Sequence, residues 1–275
     1  MTSTQKLIKY CALAFAAFLI AIIIGGIARA VLGIGEAIFG ESAKMDKYVY
    51  LVEESNLSKL DSPKLIIETK ATNIKIIKGG TFSVQTNNKN INYYPGDEEI
   101  KIKDKSKNGF NLGSVSTELI IEIPQAHTFD KISIESGAGK ININEVEIPK
   151  LEIELGSGSL TIDDTIVNKV TEIEGGAGSI TINNSKMSNL DLEIGTGSFK
   201  YSGDILGTSN IESGIGSTTI NLTGKKEDYQ FRLEKGAGSI TVDGEKVSDD
   251  GVIGDGENRI SIEGGIGSIT INYEK

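Results

Sequence analysis

The sequence predicts an all-β protein, a right-handed parallel β-solenoid behind one N-terminal transmembrane helix. Three observations predict it. One phrase, Gly-x-Gly-Ser-apolar-Thr-apolar-Asn/Asp, returns seven times between Gly137 and Ile271. Apolar and polar residues alternate inside the clearest copies, the period of a strand with one face buried. A long uncharged apolar run stands near the N-terminus of an otherwise acidic chain.

The apolar run, Tyr10 to Ala28, is long enough to cross a hydrocarbon core as a helix of about 28 Å. Ala28-Arg29-Ala30 has the small-x-small form of a signal peptidase site. The run exceeds a usual signal-peptide core, so the expectation is an uncleaved anchor over residues 1–40 that meets the lipid bilayer through residues 10–28. Lys6 and Lys9 form a short basic leader, which places the N-terminus in the cytoplasm and the β domain outside it, at the cell envelope. Cys11 is the sole cysteine, so no internal disulfide forms. It opens the apolar run rather than following it, unlike a lipoprotein cysteine.

Residues 41–63 are polar and mixed and read as a juxtamembrane stalk, with a helical turn around Lys47–Glu54. Residues 64–136 read as an irregular β part of the solenoid. Candidate strands there are Leu65–Ile67, Ile74–Ile77, Phe82–Val84, Ile100–Ile102 and Leu119–Ile123. Asn87–Asn92 reads as a turn and Asp104–Gly113 as a turn or protruding hairpin.

Residues 137–275 hold the seven coils. The clearest copies are Gly156–Asp163, Gly176–Asn183, Gly236–Asp243 and Gly265–Asn272; looser ones start at Gly137, Gly195 and Gly214. The starts are 19, 20, 19 and 19 residues apart, then 22 and 29. A period near twenty marks a solenoid in which each coil buries its apolar face against the next. Leu160, Ile162, Ile180 and Ile182 are candidate core, with Thr161 and Thr181 outward. A second short strand, such as Leu151–Ile153 or Leu190–Ile194, completes each coil. The paired glycines are candidate structural corners: Gly137 and Gly139, Gly156 and Gly158, Gly176 and Gly178, Gly195 and Gly197, Gly214 and Gly216, Gly236 and Gly238, Gly265 and Gly267. Asn144, Asp163, Asn183, Asn221, Asp243 and Asn272 form a second corner column, suited to left-handed backbone and to side-chain bonding along the stack. In chain order the coil of Gly265 is the last, so damage there is expected only to fray an end.

Net charge is −10, and residues 1–40 carry Lys6, Lys9 and Arg29 against Glu36, so the remaining residues hold −12. Such a body is a poor partner for nucleic acid or for anionic lipid. Repeated Gly-x-Gly phrases followed by strands contradict a dinucleotide fingerprint, which opens a helix. A calcium-binding nonapeptide repeat needs an Asp where Leu160, Ile180, Ile240 and Ile269 stand. His127 is the sole histidine, which excludes a His-based metal cluster or triad within the chain. Ser159, Ser179, Ser198, Ser217, Ser239 and Ser268 form a column without a base. Asp249, Asp250, Asp255 and Glu257, near Asp243 and Glu245, make a weak candidate metal site that reads better as a solvated loop. No cofactor is expected.

The early Asn73-Ile74-Lys75-Ile76 strand, the Leu119–Pro124 strand ending in Ile-Pro, and the Gly-x-Gly-Ser-Ile-Thr-Ile repeats resemble a bacterial family of putative adhesins with β-strand repeats, a domain of unknown function. The resemblance runs from Lys64 to Lys275. It implies a β-solenoid at the cell envelope and carries no catalytic residues. The expected function is a non-enzymatic binding or adhesion module for an envelope polysaccharide or protein. The alternative is a scaffold that polymerises as a homo-oligomer through its end coils, as bactofilins do, although the charged Glu274 and Lys275 disfavour such stacking. A polysaccharide-acting enzyme is a third and weaker reading.

Overall fold

Every strand in the middle of this protein stacks on a neighbour that reads almost the same. The computed structural model describes residues 48–54, 64–106, 117–124, 129–247 and 250–273, all within one folded unit. The expected anchor at 10–28, the cleavage motif at 28–30, His127 and Asp249 lie outside the described residues. Among the described residues no helix is long and apolar enough to cross a membrane.

The strands are β1 (Val49–Glu54), β2 (Lys64–Ala71), β3 (Asn73–Gly79), β4 (Phe82–Thr86), β5 (Ile91–Tyr94), β6 (Glu99–Asp104), β7 (Glu118–Pro124), β8 (Lys131–Asn144), β9 (Glu147–Asp163), β10 (Ile166–Ser188), β11 (Leu190–Leu206), β12 (Thr208–Leu222), β13 (Tyr229–Val242), β14 (Glu245–Val247), β15 (Gly251–Ile253) and β16 (Asn258–Tyr273). A 3-10 turn at Lys226–Asp228 precedes β13. The five candidate strands between residues 64 and 123 are all present. Two expectations are corrected. Residues 49–54, read as stalk with a helical turn, form β1, which pairs with β4. Ile91 and Asn92, read as turn, begin β5, because Ile91 is buried and its strand pairs with β6.

Each central coil is one strand bent at its Gly-x-Gly corner into two legs. In β9 the first leg sends Leu151 and Ile153 inward, and the second sends in Leu160 and Ile162, all of them buried. Burying a side chain of this size is worth roughly 1.5–3 kcal/mol, and the same positions are apolar in most coils, with the buried Thr171, Ser209 and Thr218 as polar interruptions of the column. β8 through β12 stack in parallel and in chain order, with glycine on glycine: Gly139, Gly158, Gly178, Gly197 and Gly216 are in register.

The corner column explains why the phrase needs its glycines. At Gly178 φ is 141°, a backbone that residues with a Cβ rarely adopt. A Cβ there would also overlap the carbonyl oxygen of Gly158 in the coil below. At Gly137, Gly156, Gly176, Gly214, Gly236 and Gly265 only the second problem arises; a Cβ on Gly156 would lie 2.6 Å from the carbonyl oxygen of Gly137.

The second corner is displaced by one residue from its expected column. Left-handed backbone occurs at Glu145, Asp164 and Asn184, one position after Asn144, Asp163 and Asn183; at Asp243 it falls on the column residue itself. Bonding along the stack does occur in that column. Asn183 Nδ2 donates to Asp163 Oδ1 (2.8 Å), and Asn272 Nδ2 donates to Asn221 Oδ1 (2.8 Å).

Chain order fails at both ends of the stack. After β12 the next coil in space is β16, and β13 lies beyond it. Gly267 sits in register between Gly216 and Gly238. The coil of Gly265 is therefore internal, and the expectation that damage there frays an end is wrong. The late repeat spacings have the same cause: Asn221 and Asn272, bonded across adjacent coils, are 51 positions apart in the chain. At the other end the coil made of β2 and β3 lies between β8 on one side and β6 with β7 on the other.

The displaced order lets each end be covered. β14 and β15 run antiparallel along β13. At the opposite end β5 runs antiparallel to β6, β4 to β7, and β1 to β4. An open parallel edge templates association. Here short antiparallel strands occupy both edges.

Candidate functional site

The second legs present one polar face. Outward residues stack in register as a serine column (Ser159, Ser179, Ser198, Ser217, Ser268, Ser239) and a threonine column (Thr161, Thr181, Thr219, Thr270, Thr241), interrupted once by Lys200. Column members repeat about every 4.8 Å along the stack, and residues two apart on a strand are separated by about 6.8 Å. The Asn/Asp column borders them. The result is a flat array of hydroxyls and amides backed by a rigid apolar core. The array offers hydrogen-bond donors and acceptors repeated along the stack.

The first legs present a carboxylate stripe. Glu135, Glu154, Glu174, Glu193, Glu212, Glu263 and Glu234 follow one another in register across seven coils. Beside them Glu152, Glu172 and Asp191 form a second column. Like charges directly opposite one another on a sheet are unfavourable. Partial burial, and then the charges of neighbours, push the Glu154 carboxyl up (Glu174, Glu135 and Glu152), with Glu193 up for the same reasons (Glu212, Glu174 and Asp191). Glu263 is raised by burial and by Glu212 and Glu234. Glu152 goes the other way, because the Lys131 ammonium bonds to it and outweighs its burial. The stripe's signal stands in the sequence: all seven copies of the repeat carry Glu two residues before the first glycine.

The remaining candidates do not converge. Asp250, Asp255 and Glu257 are exposed in the segment between β14 and β16. Among the described residues, no three His, Cys, Asp or Glu side chains come together as a metal-holding group. The corner residues between the paired glycines are mostly small, except for Ile215 and Ile266, which are exposed and adjacent in register. Sequence reasoning also missed Thr218. It occupies the inward position that Ile180, Phe199 and Ile269 fill in other coils; it is buried, and its Oγ1 finds no hydrogen-bond partner.

The profile of the family described as Toastrack DUF4097 matches residues 62–272. The chain belongs to that family. The resemblance carried by Asn73–Ile76, Leu119–Pro124 and the repeats is thus borne out, in a Toastrack domain whose stacked strands are those described above. Similar solved structures include a putative adhesin from Bacteroides fragilis NCTC 9343 (12% identity, covering 84% of this chain and 100% of that one, TM-score 0.44). Others are a putative cell adhesion protein from Clostridium sporogenes ATCC 15579 (16% identity, 83% and 99% covered, TM-score 0.36) and a putative adhesin from Parabacteroides distasonis ATCC 8503 (14% identity, 85% and 100% covered, TM-score 0.34). No curated protein matches this Toastrack chain.

Proposed function

We propose that the protein is a membrane-anchored, non-enzymatic binding module of the cell envelope, of adhesion type, whose ligand is an extended neutral polysaccharide. One observation carries this reading: a flat, in-register hydroxyl and amide face stands on the same rigid coils as a carboxylate stripe. The face repeats the same donors and acceptors along the stack, which suits a polymer better than a compact molecule. The stripe repels polyanions and so favours an uncharged chain. Side-chain hydroxyls and amides, rather than stacked aromatic rings, make the contacts.

The anchor at residues 10–28 and an extracytoplasmic β domain belong to this reading, on the strength of the apolar run and its basic leader. Protease added to intact cells with a permeable wall then removes the β domain; full protection until lysis reverses the topology. A scaffold that polymerises through end coils is disfavoured by the antiparallel strands on both terminal edges.

Co-sedimentation with insoluble neutral polysaccharides tests the ligand class. Wild-type protein is expected to pellet with at least one of them, and Thr181→Arg with Thr219→Arg to abolish pelleting while leaving the circular dichroism unchanged. Equal pelleting by the double variant, or none by wild type with any neutral glycan, rejects the reading.

A further inference from the structure

The slot that β16 fills is bounded on both sides by parallel strands of the same chain. β12 pairs with one edge of β16 and β13 with the other, glycine on glycine. Among the described residues β13 makes its parallel ladder with β16 alone, so without β16 a gap one strand wide separates β12 from β13. Both edges of that gap present unpaired backbone groups, the requirement for strand addition. The gap also faces the core. Ile260, Ile262, Ile269 and Ile271 of β16 are buried, and they complete the apolar column between the coils on either side.

The slot is selective. A Cβ at Gly267 would overlap the carbonyl oxygen of Gly216, and one at Gly238 would overlap that of Gly267. An occupant must therefore carry glycine at the corner, apolar residues at alternate positions, and run parallel to both neighbours. Sequences of that form are the repeats of this chain itself. The slot is also imperfectly filled: Ser213, Gly264 and the unpartnered Thr218 stand inward at its corner, where other coils place larger apolar groups such as Leu155, Ile194 and Phe199.

We propose that β16 is an exchangeable strand, and that two copies of the protein associate by each inserting Asn258–Tyr273 into the slot of the other. The partner is a second copy of this chain because its β16 meets both the glycine and the apolar requirement, and because β16 reaches the slot through the connecting segment after β13. Exchange preserves every ladder of the folded chain and changes only which chain supplies the strand, the general route to a reciprocal dimer. The exchanged strand brings its own Ser268 and Thr270 into the polar columns, so the face assigned to polysaccharide is the same in monomer and dimer and the exchange does not rest on that reading.

Two single-cysteine versions of the full chain test this, each with Cys11→Ser: Asn221→Cys in one and Asn272→Cys in the other. They are unfolded together, refolded in mixture at high protein concentration, and oxidised. Asn221 and Asn272 bond across the β12–β16 ladder, so a disulfide between different chains is expected only if β16 has been exchanged. A mixture of Asp163→Cys and Asn183→Cys chains reports the β9–β10 ladder, where no strand is exchanged, and is expected to stay uncrosslinked. Interchain product from the first mixture alone supports exchange. No product from either mixture overturns it, and equal product from both shows unspecific association and overturns it as well. Light scattering separates the outcomes independently, since exchange predicts a dimer after concentrated refolding and a monomer after dilute refolding.

Discussion

The coils β8 to β11 and the coils β12, β16 and β13 are built from the same phrase, yet only the first group stacks in chain order. The contrast separates two kinds of information. The repeat specifies the shape of a coil: a corner free of Cβ atoms, two inward apolar residues on each leg, and an outward Ser and Thr. It does not specify which coil follows which, since Gly216 accepts Gly267 as readily as Gly178 accepts Gly197. Order is decided outside the phrase. Placing β13 outermost puts β14 and β15 along its outer edge, which would otherwise be an open parallel edge.

The contrast breaks most visibly at glycine. Gly267→Val is expected to lower the denaturant midpoint as far as Gly178→Val does, because both residues sit inside the stack against a neighbouring carbonyl. The left-handed backbone alone costs roughly 1–2 kcal/mol with a Cβ, and the overlap adds to it. Ala177→Ser, between two corner glycines, is the control and is expected to change little. If Gly267→Val frays only the C-terminus while the remaining coils keep their midpoint, β16 is a terminal coil after all.

Much of this was legible in the sequence, for a physical reason. Coil shape is local: the alternation of Leu160-Thr161-Ile162 and the glycines flanking Ser157 fix which atoms turn inward within one period. The glutamate before each corner was equally local, but a single Glu on a polar face carries no message until the coils align it with six others. The position of β16 is a non-local choice between nearly identical neighbours, and the repeat spacings of 22 and 29 were its one trace. β1 was missed because its pairing with β4 crosses some thirty residues that share no periodicity with it.

Caps come next in size. Replacing residues 244–256 by a flexible polar linker of equal length is expected to leave coils β8 to β12 folded but to make the protein associate with concentration, which sedimentation velocity reads. A monodisperse variant would mean that β14 and β15 do not protect the β13 edge.

A smaller effect is expected at the one inward threonine of β12. Thr218→Val keeps the volume and removes a buried hydroxyl without a partner, which should stabilise the fold by about 1 kcal/mol. The equivalent swap in a central coil, Ile180→Thr, is expected to destabilise it. Loss of stability in Thr218→Val would point to a buried water bonded to that hydroxyl.

The smallest effect concerns charge. Glu154, Glu193 and Glu263 have carboxyls raised in the folded protein, so the folded state holds their protons more tightly than the unfolded chain. Their contribution makes the fold less stable as pH rises through the window just above the ordinary carboxylate range, and more stable as pH falls back through it. Glu152, whose carboxyl is lowered, works in the opposite sense and loses its stabilising contact with Lys131 as pH falls below the ordinary carboxylate range. Stability of Glu154→Gln, Glu193→Gln, Glu263→Gln protein should therefore fall less between pH 5 and 7 than that of wild type. Identical slopes would show that solvent screens the stripe fully.

The order of the coils is the centre of the account, and a pair of engineered disulfides tests it most directly. Both variants carry Cys11→Ser and are oxidised dilute, as monomers. Asn221→Cys with Asn272→Cys joins neighbouring coils, whereas Asn221→Cys with Asp243→Cys spans a coil, since β16 lies between β12 and β13. Rapid and complete closure of the first pair, with the second remaining reduced in the folded protein, is the predicted result. Closure of the second pair with the first left open would return the coils to chain order and contradict the account.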